Sequence, residues 1–123
     1  MKKKEANMPQ LNMKGPYDFT NENVDKYITR TSAGNYALGY VDKDNAFVVQ
    51  YIGRSDTDVN DRIKDHLGEN YAAFKFSYAT SPKAAFEKEC QNYHDFGGSE
   101  KLKNNIHPDH PDNSPNWKCP VCG

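Results

Sequence analysis

The sequence predicts a small α+β domain: a three-stranded antiparallel sheet flanked by helices, in the order strand, strand, helix, strand, helix, then a short helix or loop. Three observations predict it. One stretch, Gly34 to Val41, alternates large and small side chains at the period of a strand, and a turn cluster separates it from a second strand, Ala46 to Ile52. Another alternating stretch follows a segment with helical spacing. A second helical segment opens on Ser81-Pro82 and stops at Gly97-Gly98.

Gly34-Asn35-Tyr36-Ala37-Leu38-Gly39-Tyr40-Val41 puts Tyr36, Leu38 and Tyr40 on one face and Ala37, Gly39 and Val41 on the other. Asp42 to Asn45 is a turn cluster, and Ala46 to Ile52 is the second strand of the hairpin, ending in a tight turn at Gly53. A helix beginning near Asp56 to Asp58 follows, with a core stripe of Val59, Ile63 and Leu67. On its wheel His66 lies about 20° and Arg62 about 60° from Val59, so both border the buried face. Phe74 to Ala79 is the third strand, and Ser81 caps a helix from Pro82 to about Phe96.

At 123 residues and 36% hydrophobic content, the chain holds one domain with a modest core. Residues 1–27, rich in lysine and with Pro9 and Pro16, read as a mobile N-terminal arm, within which Phe19 to Ile28 forms a short turn or helix. Residues 28–107 form the domain, and residues 108–123 an irregular tail. Sixteen basic and seventeen acidic residues give a formal charge of -1, so a nucleic-acid partner would have to be held by a local patch. No stretch resembles a signal segment or reaches transmembrane length, and cytoplasmic is the default location, with no membrane partner.

Three cysteines are an odd number, and Cys119-Pro120-Val121-Cys122 has the spacing of a metal knuckle. With His107 and His110 it would complete a tetrahedral zinc site. A frayed tail, a site finished by a second chain, and a His107 that belongs to the domain core are the alternatives. Cys90 reads as a small core residue.

The second helix carries the most informative residue. Ala85, Phe86, Cys90, Tyr93 and Phe96 form its apolar arc, and Glu89 falls inside that arc. A carboxylate among buried aromatics is costly unless paired or bound to a cation. Either it makes a salt bridge to Arg62 or a lysine, or it binds a metal.

Taken together, Gly34-Asn35-Tyr36, Tyr51-Ile52-Gly53, Arg62 nine residues after that glycine, Glu89 on the later helix and an asparagine beyond it resemble the GIY-YIG nuclease domain. The resemblance spans about residues 34 to 105 and extends to the excinuclease C subunit and homing endonucleases. It implies a metal-dependent endonuclease acting on nucleic acid, DNA more than RNA, with DNA repair or recombination as its setting. A single glutamate in such domains holds Mg2+ or Mn2+, which suits a cation that keeps most of its waters.

Carried over by position, Glu89 would be the metal ligand. Arg62 would meet the charge developing on the phosphoryl oxygens, and Tyr36 and Tyr51 would lie over the attacking water, with Tyr36 the favoured general base. Gly53 would leave room for the phosphate, and Arg54, where many members have lysine, would touch substrate. His66 would hold a tyrosine or touch phosphate, and Asn104 would orient an active-site group. Asn35 and Arg54 depart from the usual pattern. The alternative is a GIY-YIG-like module that binds nucleic acid or protein without catalysis, with a zinc-binding tail.

Overall fold

A computed structural model describes residues 11–104 and 119–120 of the chain. The strands are β1 (Lys14–Asp18), β2 (Gly34–Val41), β3 (Phe47–Ser55) and β4 (Ala73–Tyr78). The helices are α1 (Asn21–Tyr27), α2 (Val59–Lys64), α3 (Pro82–Asp95) and α4 (Gly98–Lys101). All neighbouring strands run antiparallel, in the order β1-β4-β2-β3. The fold is therefore α+β with a four-stranded sheet, one strand more than the sequence predicts.

The additional strand lies inside the segment read as a mobile arm. Lys14 pairs with Phe76 and Tyr17 with Phe74, with an irregularity between them. Pro16 sits in that interval, on an edge strand where a missing N–H is tolerated. Tyr17 stacks on Tyr27 of α1 with ring centroids 3.7 Å apart, and Phe19 donates its N–H to the Ala72 carbonyl. Residues 11–27 thus belong to the domain; residues 1–10 lie outside the described residues.

Strand alternation divides the core in two. Tyr36 and Leu38 point to the side of α1 and α2, where Val24, Ile28, Val59, Ile63, Phe74 and Phe76 join them. Ala37 and Ile52 point the other way and pack with Tyr93 of α3 and with Leu102. The sheet is thus sandwiched between α1 and α2 on one face and α3 on the other. Asn35, fully buried, donates its amide to the Ala85 carbonyl and ties β2 to α3.

Local chemistry sets the element ends. The Asp42 carboxylate accepts from the N–H groups of Asp44 and Ala46 and closes the hairpin turn. Asp58 caps α2 by accepting from Asp61 N–H, and Ser81 caps α3 by accepting from Ala84 N–H. Gly97, at φ 100°, ends α3 in the left-handed region. α2 stops at Lys64, and N–H bonds to carbonyls three residues back carry the chain through His66 and Leu67.

Candidate active site

The candidate residues sit where β2 and β3 run side by side. Tyr36 lies directly across from Gly53, and Leu38 from Tyr51. Opposed residues in an antiparallel pair share a face, so Tyr36, Gly53 and Tyr51 all face α2. The Tyr36 and Tyr51 rings lie nearly parallel, 16° apart, with centroids separated by 6.4 Å.

Gly53 does not make a turn, because β3 continues unbroken to Ser55. A Cβ at Gly53 would come within 2.3 Å of the Tyr36 ring. The missing side chain makes room for the Tyr36 phenol.

His66 joins the two tyrosines. Its Nε2 lies 2.9 Å from the Tyr36 hydroxyl, and its ring centroid is 4.7 Å from that of Tyr51. Its Nδ1 lies 2.8 Å from Glu69 Oε1. A carboxylate only accepts, so Nδ1 carries the proton, and in the neutral imidazole Nε2 accepts from the Tyr36 hydroxyl. Glu69, His66 and Tyr36 form a chain of hydrogen bonds in which Glu69 fixes the tautomer. Sequence reasoning missed Glu69, although its place three residues after His66 was visible. It also missed Tyr71, whose ring centroid lies 6.2 Å from that of Tyr51 and which carries the Lys103 ammonium 5.4 Å away.

Arg62 is exposed on α2, within electrostatic reach of Tyr36, Tyr51 and Glu89. Burial pushes the Tyr36 hydroxyl well above its ordinary range; Tyr51 and Glu89 add to the push, and Arg62 opposes it. Tyr51 is raised as well, first by burial and then by Glu89, again against Arg62. Both phenols are protonated at neutral pH.

Glu89 is buried on α3 with 8% of its surface exposed. Its partner is neither Arg62 nor a lysine. Arg54 Nη1 donates to Glu89 Oε1, and Arg54 Nε donates to Asp56 Oδ1 at 2.9 Å. The guanidinium also lies 5.2 Å from the centre of the Phe86 ring. Burial lifts the Glu89 carboxyl to about 7 against the pull of Arg54 and Arg62, and Asp56 adds to the rise. Glu89 Oε2 makes no hydrogen bond among the described residues. One open oxygen on a buried carboxylate fits the sparse protein ligation of Mg2+ or Mn2+.

Asn104 holds β3 from its outer edge. Its side-chain carbonyl accepts from Ile52 N–H at 2.9 Å, and its amide donates to the Ile52 carbonyl at 2.6 Å. It completes the ladder of an edge strand at the residue between Tyr51 and Gly53. Just before it, Lys103 N–H donates to the Gln50 carbonyl, where β3 carries a register irregularity.

The proposed zinc ligands fall mostly outside the described residues: His107, His110 and Cys122 do, and only Cys119 is described. Cys119 is buried against Phe86 and Cys90. Among the described residues no group of three or more His, Cys, Asp or Glu side chains gathers to hold a metal. No helix among them is long and apolar enough to cross a membrane.

Compared with known proteins, the chain matches no protein family, no curated protein and no solved structure.

Proposed function

We propose that this chain is a divalent-metal-dependent endonuclease of the GIY-YIG type, hydrolysing phosphodiester bonds of nucleic acid, DNA in preference to RNA. The observation that supports it is convergence. Tyr36, Tyr51, His66, Arg62 and Glu89 come from β2, β3, the end of α2 and α3, yet each acts electrostatically or by direct contact on at least one other.

Within this reading each residue has a task. Tyr36 accepts a proton from the attacking water as it passes its own to His66 Nε2, so no free phenolate is required. Glu69 stabilises the imidazolium that results. Tyr51, packed between Tyr36 and Tyr71, walls the site and positions the water. Arg62, exposed and always charged, binds the phosphate and meets the charge that develops on it. Glu89 is the residue that would hold Mg2+ or Mn2+, and a cation there would supply Lewis-acid stabilisation of the scissile phosphate. Arg54, bonded to both Glu89 and Asp56, would still be held by Asp56 if Glu89 took a cation.

One observation favours a second reading, the non-catalytic binding module: the ion pair that occupies Glu89 Oε1. A panel of labelled linear, single-stranded, flapped and branched DNA, with RNA alongside, separates the two. Metal-dependent cutting by the wild type that is absent in Glu89→Ala supports the nuclease. Equal binding by both proteins with no cutting leaves the binding module.

A further inference from the structure

After α4 the chain returns to the outer edge of β3 and brings a lysine to the tyrosine face. Leu38 pairs with Tyr51 and Gly39 with Val49, so Gln50 is the residue left over on β3, as in a bulge. Its carbonyl accepts from Lys103 N–H at 2.6 Å. Two residues on, Ile52 exchanges both of its outward backbone bonds with the Asn104 side chain. Lys103 is therefore fixed at its backbone, on the strand edge beside Tyr51. Its side chain is exposed, and its ammonium lies 5.4 Å from the centre of the Tyr71 ring. Tyr71 borders two members of the candidate site, with its ring centroid 6.2 Å from that of Tyr51 and 6.4 Å from that of His66.

A lysine seated on a ring does not by itself mark a site. Lys26 is exposed too, with its ammonium 5.3 Å from the centre of the Tyr27 ring. Tyr27, however, stacks on Tyr17 of β1, at the opposite edge of the sheet from β3. What singles out Lys103 is the ring beneath it, which touches Tyr51 and His66. Lys103 also makes no ion pair among the described residues, and the nearby Glu69 carboxylate is engaged by His66 Nδ1. We propose that Lys103 is a substrate-binding residue whose ammonium takes a phosphate neighbouring the scissile one, with Tyr71 as the ring that steadies it. The proposal rests on the reading that the tyrosine face receives nucleic acid. Arg62 reaches the strand from α2 and Lys103 from the β3 edge, so the two cations set its path across Tyr51. A phosphate contact fixes position without reading bases.

The test is DNA binding without turnover: fluorescence anisotropy of labelled linear, single-stranded, flapped and branched DNA, with no divalent metal added, over a range of salt. Lys103→Gln is expected to bind severalfold more weakly than wild type at low salt. Its slope of log affinity against log salt is expected to be shallower by about 1. Lys103→Arg keeps the charge and is expected to restore the slope. Lys26→Gln, the same change at the opposite edge, is expected to match wild type. Wild-type affinity and slope in Lys103→Gln overturn the proposal, even if that variant melts lower, since the lysine then only packs its stem over Tyr71. An equal loss in Lys26→Gln overturns it too, as does a wild type that binds none of the DNA. Binding that depends on Lys103, with no cutting once Mg2+ is added, keeps this proposal and removes the nuclease reading. Cutting by a wild type whose binding ignores Lys103 does the reverse.

Discussion

At Glu89 two influences act on one carboxyl group. Burial favours the neutral acid, and a neighbouring cation, whether Arg54 or a metal, favours the anion. The folded state holds the proton up to about pH 7, whereas the unfolded chain releases it in the ordinary carboxylate range. Between those values the native state binds more protons, so this group's contribution to stability is full below that range and is lost as pH rises toward 7. Urea unfolding from pH 5 to 8 should therefore show wild type losing stability relative to Glu89→Gln as pH rises. Cleavage should behave in the opposite sense, rising with pH through about 7 as the carboxylate forms. Raising Mg2+ should move that midpoint to lower pH, since metal and proton compete for the same group.

The neighbouring hydrogen-bond chain makes a second prediction at this scale. Glu69 is half exposed and bonds His66 Nδ1, so on the nuclease reading it would act through His66. His66→Ala should lower the single-turnover rate by about 10²–10⁴. Glu69→Gln should lower it less and shift its pH profile, because a glutamine can no longer stabilise the imidazolium. Equal, pH-independent losses in both variants would reduce Glu69 to a structural residue.

At the scale of elements, β3 is held on both sides, and each side can be probed. Gly53→Ala drives a methyl into the Tyr36 ring. Overpacking of this kind costs about 1–3 kcal/mol, measurable by denaturant unfolding, and it should displace the phenol and lower cleavage as well. Asn104→Ala leaves the Ile52 N–H and carbonyl without their edge partner. Stranding such buried groups costs about 1–3 kcal/mol each.

The same elements show what was legible in the sequence. β2 and β4 are readable because each alternates large and small residues, β3 because it follows the Asp42–Asn45 turn cluster, and α3 because Ser81-Pro82 and Gly97-Gly98 mark its ends. Lys14-Gly15-Pro16 does not alternate, so β1 was invisible locally; its pairing with β4 is a tertiary fact. Likewise Glu89 was recognisable as misplaced from its wheel position. Its partner Arg54 was not, because the contact depends on β3 and α3 packing face to face.

For the whole molecule, β1 and α1 close one flank of the core that holds Tyr36. Removing residues 1–18 would uncover the edge of β4 and take Tyr17 from its stack on Tyr27. The truncated chain should melt below the full one in a thermal scan followed by circular dichroism. The formal charge of -1 means that long-range attraction contributes little to gripping DNA. On the nuclease reading, a few local cations such as Arg62 and Lys103 would supply the contact, so cleavage should weaken with added salt only as steeply as a few phosphate contacts allow.

The most direct measurement is single-turnover cleavage of the preferred DNA in Mg2+ by wild type and Glu89→Gln, purified identically, with DNA binding measured beside it. The account predicts metal-dependent cutting by the wild type and a loss of at least about 10²-fold in the variant, with binding retained. Cutting that survives in Glu89→Gln, or a wild-type protein that binds but never cuts, would contradict it.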